Sequence, residues 1–481
     1  MGERFGEYPG PVNRRYAARR ASGTPVSWFL AAHVVLAMIL QSWPMAGTAH
    51  SALTIFVAVW AVLRWSDFDI ARVAAYAAGC DVLWRMTGAT TPWESGKYIV
   101  VFLCLAALLR MGRRAKWSFL PLAYFLLLLP SIVVLVQNHK GDWTELRGML
   151  SFNLSGPLSL FASVWFMSQL RLNRRNTRHL MLALLAPLLT IAVITLIKTY
   201  TATDLAFTDE SNFVTSGGFG PNQVSAVLGL GALLSLFLAL DPELGNTRRW
   251  IAFGSTLMFS VQSAMTFSRG GLYAFLAAFF CSAFVLLRER SSSKWVVRFV
   301  GVAALLTIAV IIPRLESFTQ GALAARFQDT NTGRRSAIIL EDLRIWGEHP
   351  LLGVGPGAAR FERKSESRVA HTEYTRLLSE HGIPGVLAMI VLGILFLQEL
   401  SKRQPRAERG LRLAFLVWGL VSMTHVGMRI AAIGLVFGWG CSRKLLAREG
   451  RKASPFQAAG NGEAFERVRV TRIDEQLLRT I

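Results

Sequence analysis

Charge is what this sequence has least of: 17% of its 481 residues are Asp, Glu, Lys or Arg, against 52% hydrophobic. A soluble domain of this length needs polar surface on every side, so that balance, with a mean hydropathy of +0.39, excludes an ordinary soluble enzyme and places the chain in the membrane class. Cysteine is also scarce. Cys80, Cys104, Cys281 and Cys441 lie within or beside apolar runs and lack metal-ligand spacing, so they read as small core residues. Acidic residues are outnumbered, 30 to 52 basic ones, a net charge of +22. Nucleic acid is nevertheless an unsuitable partner, because the basic residues fall in short clusters between apolar runs. The N-terminus carries Arg14, Arg15, Arg19 and Arg20 before an apolar run from Val26, yet it lacks a small-residue cleavage site. That run is expected to anchor the chain.

What is abundant is long apolar stretches. A helix crosses the hydrocarbon with roughly 20 apolar residues, and the backbone must satisfy its own polar groups there. Runs near 26–43, 51–65, 70–87, 96–110, 117–137, 148–170, 179–199, 221–240, 250–267, 272–288, 298–313, 383–399, 411–425 and 427–442 meet that need. The last pair is also compatible with one span plus a re-entrant piece. The expected fold is thus an all-α polytopic membrane protein of about 14 transmembrane helices. Alternate loops are basic: 110–116, 171–175, Arg248-Arg249, Arg288-Glu-Arg290 and 402–412. Their partners at 43–50, 88–95 and 268–271 carry few cations. Basic loops stay inside, which puts a basic N-terminus (1–25) and a basic tail (443–481) in the cytoplasm.

One long connection, 314–382, falls outside, between helices over 26–313 and 383–442. Its ten basic and nine acidic side chains do not oppose this, since long loops cross regardless of charge. It is expected to be partly helical. Ile338, Ile339, Leu343 and Trp346 recur near helical spacing until Pro350, and a second piece runs from Thr372 to His381, before Gly382 and Pro384. The glycines of His349-Pro-Leu-Leu-Gly-Val-Gly-Pro-Gly357 suit either a tight connector or close approach of a ligand. His371 opens a helix, where it serves as a cap or, held neutral by the dipole, accepts a proton. Arg334, Arg335 and Arg344 are either a solvated face or a grip for phosphate oxygens.

Ser268-Arg269-Gly270-Gly271 sits between two apolar runs, where a charge is costly and marks either a site or a turn with a snorkelling arginine. Gly217 to Asn222 opens another span from the same side, with Asn222 near its N-cap. Arg147 and Asn153 are further candidates. Asp81 with Arg85, and His425 with Arg429, show the four-residue spacing of helical neighbours.

Over roughly 200–400 the residues resemble the bacterial O-antigen ligase and polysaccharide polymerase family. The resemblance rests on Gly220-Pro221-Asn222, Ser268-Arg269-Gly270, Gly333-Arg334-Arg335 with Trp346, the 350–357 stretch, and His371-Thr-Glu-Tyr with Gly382-Ile-Pro-Gly385. The order of these short motifs is more specific than any one of them. Stretches 81–88 and 147–157 look like those of one branch of the family. Thr372 departs from the Asn that often follows the loop histidine, and about fourteen spans exceed the family's usual count.

The resemblance implies glycosyl transfer from an undecaprenyl-diphosphate-linked glycan to an acceptor hydroxyl, at the periplasmic face of a bacterial inner membrane. The 314–382 loop is then the catalytic one. His371 is expected as catalytic base, with Arg269 and Arg335, and secondarily Arg344 and Arg334, on the diphosphate. Asn222, Arg147 and Glu373 would support them. Expected partners are that donor, membrane lipid, and a glycan or lipid A core acceptor. No cofactor is implied, and the outer loops show no acidic cluster for a metal. A polymerase or a protein O-oligosaccharyltransferase would share donor and leaving group. A lipid-linked glycan transporter would also have many spans, with Asp81, Arg85 and His425 lining its path, but no internal repeat is evident. A scaffold in a polysaccharide-assembly complex is the remaining class.

Overall fold

The computed structural model describes residues 24–43, 45–203, 205–208, 210–329, 333–364, 370 and 372–447. Helices dominate, and every apolar run of the sequence falls on helix. In chain order these are α1 (Thr24–Ser42), α2 (Ala46–Arg64), α3 (Asp67–Met86), α4 (Ser95–Met111), α5 (Phe119–Leu126), α6 (Ser131–Asn138), α7 (Trp143–Met167) and α8 (Arg174–Thr201). There follow α9 (Pro221–Leu240), α10 (Asn246–Met265), α11 (Arg269–Leu286) and α12 (Arg290–Leu306), which continues through a π turn into α13 (Ile312–Thr319). The chain then forms α14 (Ala322–Gln328), α15 (Gly333–Glu348), α16 (Ala359–Glu362), α17 (Glu373–Ser401), α18 (Arg406–Ser422) and α19 (Ala431–Gly440). Among the described residues nine helical segments are long and apolar enough to cross a membrane, so this is a multi-pass membrane protein.

Local chemistry sets many of the boundaries. Ser66 caps α3 by accepting from the Asp69 N–H at 3.2 Å, and Asp142 caps α7 by accepting from Glu145 N–H at 2.8 Å. The 117–137 run is not one rod: α5 ends before a turn over 127–130, and α6 starts after Pro130. The 298–313 run extends to Thr319, so the long connection begins later than the sequence suggests. The pieces expected as 372–381 and 383–399 are joined in α17, bent at Gly382, whose φ of 59° and ψ of −138° suit only glycine. There Ile383 N–H donates to Pro350 O at 2.9 Å, so the bend is held by the preceding loop.

Two groups of helices pack side by side. In one, α3 lies against α4 and α8, and α7 against α4; in the other, α9 crosses α10 and α11, and α11 packs on α18. Helix α19 joins them, packed on α7 and α18 and buried along its whole length. Small residues permit the closest crossing: a Cβ on Gly271 would meet Ser225 O at 1.9 Å, and one on Gly229 would meet Gly271 O at 2.2 Å. Thus the glycines of the Ser-Arg-Gly-Gly motif serve helix contact. At the end of the molecule carrying the basic loops, strand β1 (Arg171–Asn173) pairs in parallel with β2 (Lys444–Ala447). Beside that ladder the fully buried Arg412 bonds Glu399 at 2.6 Å and Ser442 O at 2.8 Å.

Candidate functional site

At the opposite end, a cavity of about 390 Å³ opens between the N-terminal part of α7, the loop around α16, the start of α17 and the α18–α19 turn. Its polar walls come chiefly from Glu373, Arg376, Glu380, Arg360, Arg363 and Arg429. Glu373, Arg376 and Glu380 share one face of α17 because they are three, four and seven residues apart. Arg376 lies 2.5 Å from the Glu373 carboxylate and 2.8 Å from that of Glu380, with Asn153 Oδ1 at 3.4 Å. Behind the wall Arg363 is paired with Asp342 at 2.5 Å, and Asp342 also accepts from Thr375 Oγ1 at 2.7 Å. At the rim Arg360 meets Glu145 at 2.9 Å. Thr372 caps α17.

The turn over 423–430 is held by buried charges of other helices. Glu373 binds both of its ends: its N–H donates to Met423 O at 2.8 Å, and its carboxylate accepts from Met428 N–H at 3.3 Å. The Lys97 ammonium, fully buried, pairs with Glu94 and donates to Met428 O at 3.3 Å. Arg85 pairs with Asp81 at 2.6 Å and donates to Arg429 O at 3.0 Å and to Gln223 Oε1 at 2.9 Å. The second Asp81 oxygen accepts from Ala431 N–H at 2.9 Å, capping α19 from a neighbouring helix. A turn inside an apolar bundle leaves backbone groups that water cannot reach, and these four side chains supply the partners.

That accounts for most of the charges, but not for the guanidinium of Arg429. It lines the cavity, lies 5.8 Å over the Phe152 ring, and donates to Ala370 O. Among the described residues it makes no ion pair.

The expected site residues divide. His371 lies outside the described residues; its chain neighbours Ala370 and Thr372 both line the cavity. Glu373 is at the centre of the cluster. Arg334 and Arg335 fall in the first turn of α15, with side chains outside the described set. Arg344 bonds both Glu348 oxygens at 2.7 Å and Glu362 O at 2.9 Å, stapling α15 to α16 away from the cavity. Arg147 is exposed on α7 beside the cavity-lining Gly148. Arg269 starts α11 and donates to the carbonyls of Arg326, at 3.2 Å, and Asp329. Asn222, in the first turn of α9, accepts from Ser268 Oγ at 2.7 Å, next to Arg269. Neither Arg269 nor Asn222 lines the cavity, but Gly270 packs on His425 of the 423–430 turn. Gly353, Gly355 and Gly357, all at positive φ, fit the connector reading: added Cβ atoms would meet Glu380, Leu135 and Asn153 within 2.7 Å.

Sequence reasoning passed over Arg376, Glu380, Arg363, Glu94 and Lys97, and noted Arg429 only for its spacing from His425. A signal existed for some of them. Glu373, Arg376 and Glu380 repeat at helical intervals, and Lys97 opens an apolar helix, where an ionisable residue is by default functional.

Apolar helices enclosing a charged, ligand-sized cavity at one end define a polytopic membrane protein with a polar site at its surface. Residues 254–390 match the family model described as O-antigen ligase, which supports a likeness to that family over this part of the chain. The match supports O-antigen ligase-like glycosyl transfer in cell-surface polysaccharide assembly. The matched stretch runs from α10 to the middle of α17 and contains Arg269, Arg334, Arg335, Arg344, His371, Glu373, Arg376 and Glu380. No individual curated protein matches the chain.

Proposed function

We propose that this protein transfers a glycan from an undecaprenyl-diphosphate-linked donor to an acceptor hydroxyl at the periplasmic face of the bacterial inner membrane, as an O-antigen ligase does. The observation that carries this reading is the cavity beside Ala370 and Thr372, which puts the chain flanking His371 next to a cluster of arginines and carboxylates within the family segment. Both termini are then cytoplasmic, the basic β1–β2 end faces inward, and the 314–382 connection faces the periplasm.

In the proposed reaction the acceptor oxygen attacks the anomeric carbon while His371 takes its proton. The bond from that carbon to the diphosphate oxygen breaks, and the electron pair leaves with the diphosphate, inverting the centre. Diphosphate is already a good leaving group, so neither a covalent intermediate nor a metal is required. Arg269 and Arg335 are assigned to the donor phosphates. Arg344 is spent on Glu348, which makes it the weakest of the arginine candidates.

The test is glycan output in cells carrying His371→Ala or Arg269→Ala, with membrane abundance measured in parallel. Loss of long-chain polysaccharide with accumulation of lipid-linked donor supports the transferase. Accumulated full-length chains identify a ligase, single repeat units a polymerase, and loss of glycoprotein an O-oligosaccharyltransferase. Unchanged output from well-inserted variants overturns the reading.

A further inference from the structure

The cavity is electrically uneven. Among the described residues Arg360 pairs with Glu145 and Arg363 with Asp342, whereas Arg376 faces two carboxylates, Glu373 and Glu380. The α17 triad thus has one negative charge over, and Arg429 carries a positive charge with no carboxylate at ion-pair distance among the described residues. A guanidinium has five N–H donors in a fixed fork, and among the described residues Arg429 donates to a single carbonyl, Ala370 O. Its aromatic neighbour Phe152, also part of the cavity lining, has Lys97 within 6.0 Å of its ring as well. What remains is a set of planar donors turned into a ligand-sized space.

The backbone that carries this fork is unusually constrained. The carbonyl of Arg429 is held by Arg85, the carbonyl before it by Lys97, the N–H of Met428 by Glu373, and the N–H of Ala431 by Asp81. Arg85 and Lys97 come from α3 and α4, more than 300 residues earlier in the chain. Four buried charged groups fixing one short turn cost far more desolvation than an apolar turn would. That expense is understandable if the angle of one side chain on the turn matters. Neither α3, α4 nor the turn lies in the matched family segment.

We propose that Arg429 is a direct ligand of a phosphate-type anion in this cavity, the diphosphate of the proposed donor, and that Asp81–Arg85 and Glu94–Lys97 are positioning pairs that aim it. The inference rests on the transferase reading for the identity of the anion, but not for its binding. Arg429 supplies the cation of the site, on the turn that Glu373 holds through Met428 N–H. Arginine suits the task because its fork meets two phosphate oxygens at once, which a lysine ammonium cannot do.

The test uses the full chain in nanodiscs with inorganic pyrophosphate as probe. Binding is followed by thermal shift and by calorimetry at constant ionic strength, with sulfate as competitor. Arg429→Gln should weaken pyrophosphate roughly tenfold or more, the scale of a lost charge-assisted contact. Arg429→Lys should recover part of the loss. Arg72→Gln, an exposed residue paired with Asp69 on α3, should bind like wild type. For the positioning pairs, Arg85→Lys should retain most of the affinity that Arg85→Met loses, and in transfer assays Arg85→Met should raise donor KM more than it lowers kcat. Melting without ligand identifies any variant that merely unfolds, and Arg429→Lys then stands in for it. Wild-type affinity in a folded Arg429→Gln, or no pyrophosphate binding by wild type, overturns the proposal. Normal donor KM in Arg429→Gln with transfer intact overturns it while leaving the transferase reading standing. Pyrophosphate binding by Arg429 in a protein without transfer activity overturns the transferase reading instead.

Discussion

Arg376 offers the sharpest test of how the cavity wall is built. Its guanidinium is nearly buried between two carboxylates whose side chains are 2% and 4% exposed. Replacing it by Met leaves both carboxylates without their cation. Removing one partner of a buried pair costs about 3–5 kcal/mol, because the remaining charge is uncompensated. The figure should lie near the upper end, since two acids are orphaned and Glu373 also bonds the 423–430 turn through Met428 N–H. The assay is unfolding in mixed micelles, followed by tryptophan fluorescence, for Arg376→Met and for a triple variant that adds Glu373→Gln and Glu380→Gln. Glutamine keeps an oxygen for Met428 N–H and carries no charge, so the triple variant should regain all but about 1–2 kcal/mol. If Arg376→Met costs under about 1 kcal/mol, or the triple variant is no better than the single one, the electrostatic account of the wall is wrong.

Three other outcomes are expected. Gly271→Ala drives a Cβ to within 1.9 Å of Ser225 O, so the α9–α11 crossing should open at a cost of about 1–3 kcal/mol or more, seen as lower melting temperature and membrane yield. Gly382→Ala meets a backbone angle forbidden to alanine and a Cβ contact of 2.5 Å with Pro350 O. It should abolish transfer while 383–401 still inserts, which protease accessibility of tagged membranes will check. Arg344→Ala removes a half-exposed pair with Glu348 and a bond to Glu362 O, so stability should fall by about 1–2 kcal/mol and glycan output should persist in the cell assay.

The helices were legible because a membrane span writes itself as a run of apolar residues: each run from 26–43 to 427–442 carries helix, and nine segments among the described residues are long and apolar enough to span, against about fourteen expected. Bends were less legible. The turn over 127–130 inside the 117–137 run was not foreseen, whereas the stop at Gly382 and Pro384 was: two helical pieces meet there at a non-helical glycine, and Pro350 O takes up the Ile383 N–H. Of the site, the neighbourhood of His371 and Glu373 could be read from motif order. Arg344 could not be judged, because its partner Glu348 four residues on is visible in the sequence but the absence of a cavity beside it is not. The turn that carries Arg429 was illegible for a plainer reason: Arg85 and Arg429 O are 344 residues apart, and no local pattern reports such a bond.

Helix α19 has ten residues. It therefore rises about 15 Å from the β1–β2 ladder, half the thickness of the hydrocarbon layer. The turn above it, with Arg429, is consequently packed among the longer neighbouring helices. Packing changes the strength of attraction. A cation in water is screened over about 8–10 Å by physiological salt and weakened by a dielectric near 80, whereas surroundings with an effective value near 20 make the same charge pull about four times harder. Short helices are usually noticed as defects in a span. Here the shortness acts as a lens, focusing the field of one arginine on whatever anion enters the cavity, in a place where ions of the bulk solution compete poorly.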